Sequence, residues 1–106
     1  MTKKHFLLSD DAREDLQDIK KYLLNEGGPP LVRHVFNRIN SAMQMLATNP
    51  LAGHTRTDLT NEAVGFWPVF SHLIVYDSQT KPLGIARVIH GNQDLARIFQ
   101  RKLSRL

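Results

Sequence analysis

The fold is decided by residues 9–50, which read SDDAREDLQDIKKYLLNEGGPPLVRHVFNRINSAMQMLATNP. Gly27-Gly28-Pro29-Pro30 splits this stretch into two periodic halves. In the first, Ala12, Leu16, Ile19 and Leu23 recur at helical steps with Arg13, Glu14, Asp15, Asp18, Lys20 and Lys21 between them, the pattern of an amphipathic helix. Ser9 is placed to cap its N-terminus, and Asp10-Asp11 lie where the helix dipole favours negative charge. In the second half Val32, Val35, Phe36, Ile39, Ala42, Met43 and Leu46 form the strongest periodic stripe of the chain. A glycine ends the first helix because it accepts positive φ, and proline opens the second because the first turn does not use its missing N–H. Asn49-Pro50 closes the second helix, since a residue before proline avoids the α region. So short a connection predicts an antiparallel helical hairpin with both apolar stripes on one side.

Outward from the hairpin, Lys3 to Leu8 reads as a strand feeding the first helix, and residues 50–62 read as a loop without periodicity. Ala63 to Trp67 and Phe70 to Tyr76 are strand candidates flanking Pro68-Val69, with Pro68 at a strand end. Leu83 to His90 follows the polar turn Asp77-Ser78-Gln79-Thr80-Lys81-Pro82, so the last three strands form an antiparallel meander. Gly91-Asn92 stops the third of these strands, Asn92 can cap, and Leu95, Ile98, Phe99, Leu103 and Leu106 make the stripe of a final helix. The predicted fold is α+β in the order β-α-α-β-β-β-α, a helical hairpin packed on an antiparallel sheet with a C-terminal helix, as a single domain over residues 1–106.

Composition sets the outer bounds. A length of 106 residues fits one domain, and 42% apolar content with Trp67, two Tyr and five Phe excludes disorder and collagen-like repetition. Without cysteine there is neither a disulfide framework nor a thiolate metal site or nucleophile. No apolar run approaches the roughly 18 residues of a membrane span, and Met1-Thr2-Lys3-Lys4-His5 leads into only three apolar residues, too few for a signal sequence. A cytoplasmic protein is the expectation. The net charge of +4 is unevenly placed: residues 93–106 hold Arg97, Arg101, Lys102 and Arg105 against Asp94 alone.

Three constellations are candidates for function. Arg97, Arg101 and Arg105, spaced at i, i+4 and i+8, line one helix face and suit an acidic partner or phosphates, although a solvated face reads the same way. Arg87 stands in an otherwise apolar strand and needs either a carboxylate or solvent, while His90, three positions on, falls on the other side of a regular strand. Finally, the strands are apolar on both faces: one of the sets Ile74/Tyr76 and Leu73/Val75 points away from the hairpin, and the last strand splits into Ile85, Arg87, Ile89 and Ala86, Val88, His90. An apolar face left open marks a partner groove, and the final helix is the alternative cover. The five His lie on different elements, and no phosphate loop, nucleophile elbow or metal spacing is present, so no cofactor or metal is expected.

The segments LLSDDAREDLQDI (Leu7–Ile19), NPLAG (Asn49–Gly53), PVFSHLIVY (Pro68–Tyr76) and ARVIHGNQDL (Ala86–Leu95) resemble, in this order, the ParE toxins of the RelE/ParE superfamily. These are plasmid-stabilisation toxins of type II toxin–antitoxin modules. The resemblance implies a toxin neutralised by a ParD-like antitoxin, reaching operator DNA only through it, and inhibiting DNA gyrase without catalysing a reaction. Partner contacts would then fall on Ile85, Arg87, Ile89, Arg97, Arg101 and Arg105. A RelE-like ribosome-dependent mRNA endoribonuclease is the alternative, with Arg87, His90, Arg97 and Tyr76 as its catalytic candidates. Gln93, where many relatives carry a basic residue, departs from both patterns. A non-toxic co-repressor that only binds its antitoxin is the third reading.

Overall fold

A computed structural model describes residues 6–59, 63–91 and 95–100. Phe6–Leu8 form β1, Asp10–Thr48 the long helical segment α1, Val64–Val69 β2, His72–Asp77 β3, Leu83–His90 β4 and Leu95–Gln100 α2, with a single 3₁₀ turn at Pro50–Ala52. The expected α+β order is therefore present. Among the described residues no helix is long and apolar enough to cross a membrane.

Gly28 breaks α1 into two arms at φ 71°, a backbone angle that side chains disfavour, and Pro29-Pro30 restart the helix there. A straight helix of 39 residues would run about 58 Å, yet no axis of the molecule exceeds 37 Å, so the second arm folds back on the first. Both arms bury their stripes in one core: Ala12, Ile19 and Leu23 from the first, Val35, Ile39, Met43 and Leu46 from the second. This is the helical hairpin read from the sequence.

The sheet has the order β1-β4-β3-β2. β2, β3 and β4 form the antiparallel meander, and β1 adds to the open side of β4 in parallel, so the sheet is mixed rather than wholly antiparallel. Pro68-Val69 belong to β2, and the turn comes two residues later, at Phe70-Ser71. β2 is an outer strand, where a missing N–H leaves no ladder bond broken, so proline is tolerated inside it. Two backbone bonds between His54 and Phe66 cover part of the free side of β2.

A bulge in β4 sets which side chains face which way. Tyr76 registers with Ile85 and Val75 with Arg87, leaving Ala86 without a partner on β3. The extra residue shifts the alternation by one. Leu83, Ile85 and Val88 therefore join Ile74 and Tyr76 under the hairpin, whereas Ala86 and Ile89 join Val64, Phe66 and Val75 on the opposite face. α2 closes that second face with Phe99, whose ring meets Phe66 edge-on at 5.4 Å. Ile85, Arg87 and Ile89, read from alternation as one face, are thus split: Ile85 is fully buried under the hairpin and Ile89 fully buried in the cluster that holds Phe99. The groove expected from those three residues is not formed.

Candidate functional site

The polar geometry is organised by the side of β4 that β1 leaves uncovered. β1 pairs only as far as Ile85, after which the chain turns into α1. Three donors and acceptors of the helix start take over the ladder. The Ser9 amide donates to the Ile85 carbonyl at 3.0 Å, the Ser9 hydroxyl donates to the Ala86 carbonyl at 2.7 Å, and the Asp15 carboxylate accepts from the Val88 amide at 2.9 Å. Ser9 at the same time accepts from the Ala12 amide, as the sequence predicts for the cap.

Asp15 also takes both arms of a bidentate pair with Arg87, Nε to Oδ2 at 2.7 Å and Nη2 to Oδ1 at 2.9 Å. The hydrogen bonds to Asp15 raise the Arg87 pKa above its ordinary value, against the opposing effect of burial, and the charges of Asp15, Asp11 and Glu14 add to the rise. Arg87 is therefore the structural ion pair that an arginine in an apolar strand requires. Asp15 lies beyond the acidic first turn of Asp10 and Asp11, and its role is this specific pairing with Arg87 and the Val88 amide. The sequence signal was the unpaired arginine itself, but nothing local named its partner 72 residues away.

Tyr76 is likewise committed. Its hydroxyl donates to the Pro50 carbonyl at 2.6 Å and accepts from the Gly53 amide at 2.9 Å, and burial is the main cause of a raised phenol pKa. The ring lies over Gly65, its cross-strand neighbour, where an added Cβ would stand 2.5 Å from the ring carbon Cζ. Glycine is needed at position 65 for that close approach.

Two clefts flank the Phe70-Ser71 turn. One, of about 300 Å³, lies between the first arm of α1 and the ends of β3 and β4, with Asp15, Asp18, Ile19, Tyr22, Val88 and the two histidines His72 and His90 around it. His90 stands edge-on to both His72, at 5.2 Å between ring centres, and Tyr22, at 5.8 Å. His72 is 5% exposed, and neither of its ring nitrogens has a hydrogen-bond partner among the described residues. Burial, with a smaller contribution from the charge of His90, pushes its pKa below the ordinary histidine value.

The second cleft, of about 350 Å³, lies between the second arm and β2, lined by Arg38, Ala42, Met45, Trp67 and Phe70 among others. Phe70 adopts φ 54°, an uncommon left-handed angle for an aromatic residue, and remains more than half exposed. The Arg38 guanidinium lies over its ring, 5.5 Å from the centre, and His34 packs against it at 5.5 Å.

The structure separates the catalytic candidates. Arg87 and His90 lie in a regular part of β4, registered with Val75 and His72, so the bulge that would be needed to bring them to one face sits before both. Tyr76 is inside the core, and Arg97 is exposed on α2. Arg101 and Arg105 lie outside the described residues. The sequence reading missed His72, Tyr22 and Phe70. The first two are neighbours only through the hairpin, and the third shows itself by a backbone angle that no local pattern announces.

Residues 6–95 match a family model described as the ParE toxin of the type II toxin-antitoxin system, parDE. No curated protein matches the chain at a significant level.

Proposed function

Since the chain belongs to the ParE toxin family of type II toxin–antitoxin systems, we propose that it is held inactive by a ParD-like antitoxin and that, once released, it inhibits DNA gyrase by binding. One observation carries the choice of binding over ribonuclease chemistry. Two of the four residues an mRNA-cleaving site would draw on are spent on the fold: Arg87 is held by both oxygens of Asp15, and the Tyr76 hydroxyl is saturated by Pro50 and Gly53 inside the core. A catalytic arginine must meet the transferring phosphate and a catalytic tyrosine the reacting oxygen, and both groups here are held in contacts within the fold.

For partner contact we place the weight on Arg97, exposed on α2, and on Arg101 and Arg105, which follow it in the sequence at i+4 and i+8. A basic surface of this kind steers an acidic antitoxin toward its target. Operator DNA is reached only through that antitoxin.

The test is induction without antitoxin followed by two assays on the purified protein. Growth arrest with loss of gyrase supercoiling and intact mRNA supports the reading. Codon-specific mRNA cleavage on translating ribosomes with normal supercoiling overturns it in favour of the ribonuclease, and unchanged growth overturns it in favour of an antitoxin-binding co-repressor. Arg101→Glu with Arg105→Glu is expected to reduce growth arrest while leaving the melting temperature within about 2 °C, because the sequence spacing keeps these arginines off the apolar stripe of Leu95, Ile98, Phe99, Leu103 and Leu106.

A further inference from the structure

The turn between β2 and β3 carries a side chain that its backbone disfavours. Phe70 and Ser71 are the two residues between the paired Val69 and His72, and of these two only Phe70 has a positive φ. In a two-residue hairpin turn that first position is one glycine prefers. The turn is held from its other side, where the Gly91 amide donates to the Ser71 carbonyl at 2.7 Å and ties it to the end of β4. Yet the strained residue is a phenylalanine, and 58% of it is exposed. Strain at an exposed side chain points to binding rather than to packing.

The surroundings of Phe70 define the chemistry. The cleft beside it, of about 350 Å³, has apolar walls of Ala42 and Met45 from the second arm and Trp67 and Val69 from β2. Ala42, Met45 and Trp67 are only partly buried. Arg38 lines the same cleft, lies over the Phe70 ring and is exposed, with no ion pair among the described residues. Neither the second arm nor β2 contains an acid, so the charge along the cleft is positive. Among its described lining residues Arg38 is the one cation, too few for the row of phosphates that a nucleic-acid strand presents. An apolar slot beside one arginine fits a peptide that pairs an aliphatic side chain with a carboxylate.

We propose that this cleft docks an acidic segment of a partner protein, which inserts one aliphatic side chain between Met45 and Trp67 and sets a carboxylate on Arg38. A guanidinium resting on an aromatic ring keeps its fork of donors for a carboxylate, and Phe70 supplies that rest. The flexible thioether of Met45 adapts to the shape of the inserted group. The surface is separate from α2, which closes the opposite face of the sheet. The inference does not depend on the toxin reading, because it is tested by binding alone.

Trp67 is the only tryptophan of the chain and lines the cleft, so its fluorescence reports occupancy. The probe is a blocked Glu-Glu-Leu-Glu-Glu peptide added to the full chain at constant ionic strength. A saturable change in Trp67 emission is expected, and serine in place of the probe's leucine is expected to weaken binding about tenfold, the worth of one buried aliphatic side chain. Arg38→Gln is expected to weaken the probe about tenfold and Phe70→Gly about threefold. Both keep the melting temperature within about 2 °C, since both positions are exposed. Arg33→Gln removes the same charge from the same arm outside the cleft and is expected to leave the affinity within about twofold. No saturable change, equal binding of the serine peptide, or equal losses from Arg33→Gln and Arg38→Gln overturns the proposal. Tighter binding of pentathymidylate also overturns it and assigns the cleft to a nucleic-acid strand. Should Arg38→Gln lose its fold, undiminished affinity in Phe70→Gly is equally fatal.

Discussion

The two arms of α1 lie on the same sheet but are held to it by different forces. The second arm carries Arg33 and Arg38 and no acid, and four buried aliphatic residues anchor it: Val35, Ile39, Met43 and Leu46. The first arm carries six carboxylates against three cations, buries only Ala12, Ile19 and Leu23, and adds a polar seam in which Ser9 and Asp15 complete the ladder of β4. A hairpin built this way has one arm fixed by area and one fixed by position. Apolar burial is non-directional, whereas the Ser9 and Asp15 bonds select a single register of the helix on the strand.

The sharpest way to break the comparison is to remove the area from one arm and the position from the other. Leu46→Ala, at a fully buried site, is expected to cost about 2–5 kcal/mol in chemical denaturation, with little dependence on salt or pH. Asp15→Asn is expected to cost about 2–3 kcal/mol, because it turns charge-assisted bonds to Arg87 into weaker ones and leaves that guanidinium half-buried without its counter-charge. The Asp15 loss should shrink at high salt, the Leu46 loss should not. Equal salt dependence of the two variants would show that the arms do not differ in the way described.

How much of this was legible in the sequence follows the same division. The second arm was read almost residue by residue, because burial repeats with the helical period and leaves its mark on every turn. The cap at Ser9, the break at Gly28 and the meander were legible too, each being a local event with a local residue preference. The polar seam was not. Ser9 to Ala86 and Asp15 to Arg87 join residues more than 70 positions apart, and their partnership exists only because β1 stops at Leu8 and pairs in parallel with β4. The bulge at Ala86 defeated the face assignment of Ile85, Arg87 and Ile89, since a single extra residue inverts every position after it while leaving composition untouched.

A smaller effect distinguishes the cleft of the first arm. His72 is buried beside His90 and its folded pKa is lowered from 6.5, mainly by burial. A base whose pKa is depressed on folding binds more protons when unfolded, so stability is complete above the unfolded value and falls as pH drops below about 6.5. The loss cannot exceed about 1.4 kcal/mol per pH unit for one proton. The groups facing His72 are His90, Tyr22, Asp15 and Asp18, and the charge of His90 adds to the lowering that burial causes. His72→Gln is expected to flatten the decline between pH 7 and 5 in denaturation midpoints, and an unaltered slope would move the titration to another group.

The smallest effect belongs to the other cleft, at Phe70. Replacing it with glycine relieves the left-handed backbone at φ 54°, a gain of about 1 kcal/mol, and removes the Arg38 and His34 contacts with the ring, a loss of about 1 kcal/mol at so exposed a site. The two terms nearly cancel, so Phe70→Gly is expected to shift stability by less than about 0.5 kcal/mol. An aromatic side chain that is strained and exposed contrasts with His72 across the same turn, which is unstrained in backbone, buried and lowered in pKa. A Phe70→Gly variant that is destabilised by 2 kcal/mol or more would show that the ring is a structural clamp between β2 and the second arm.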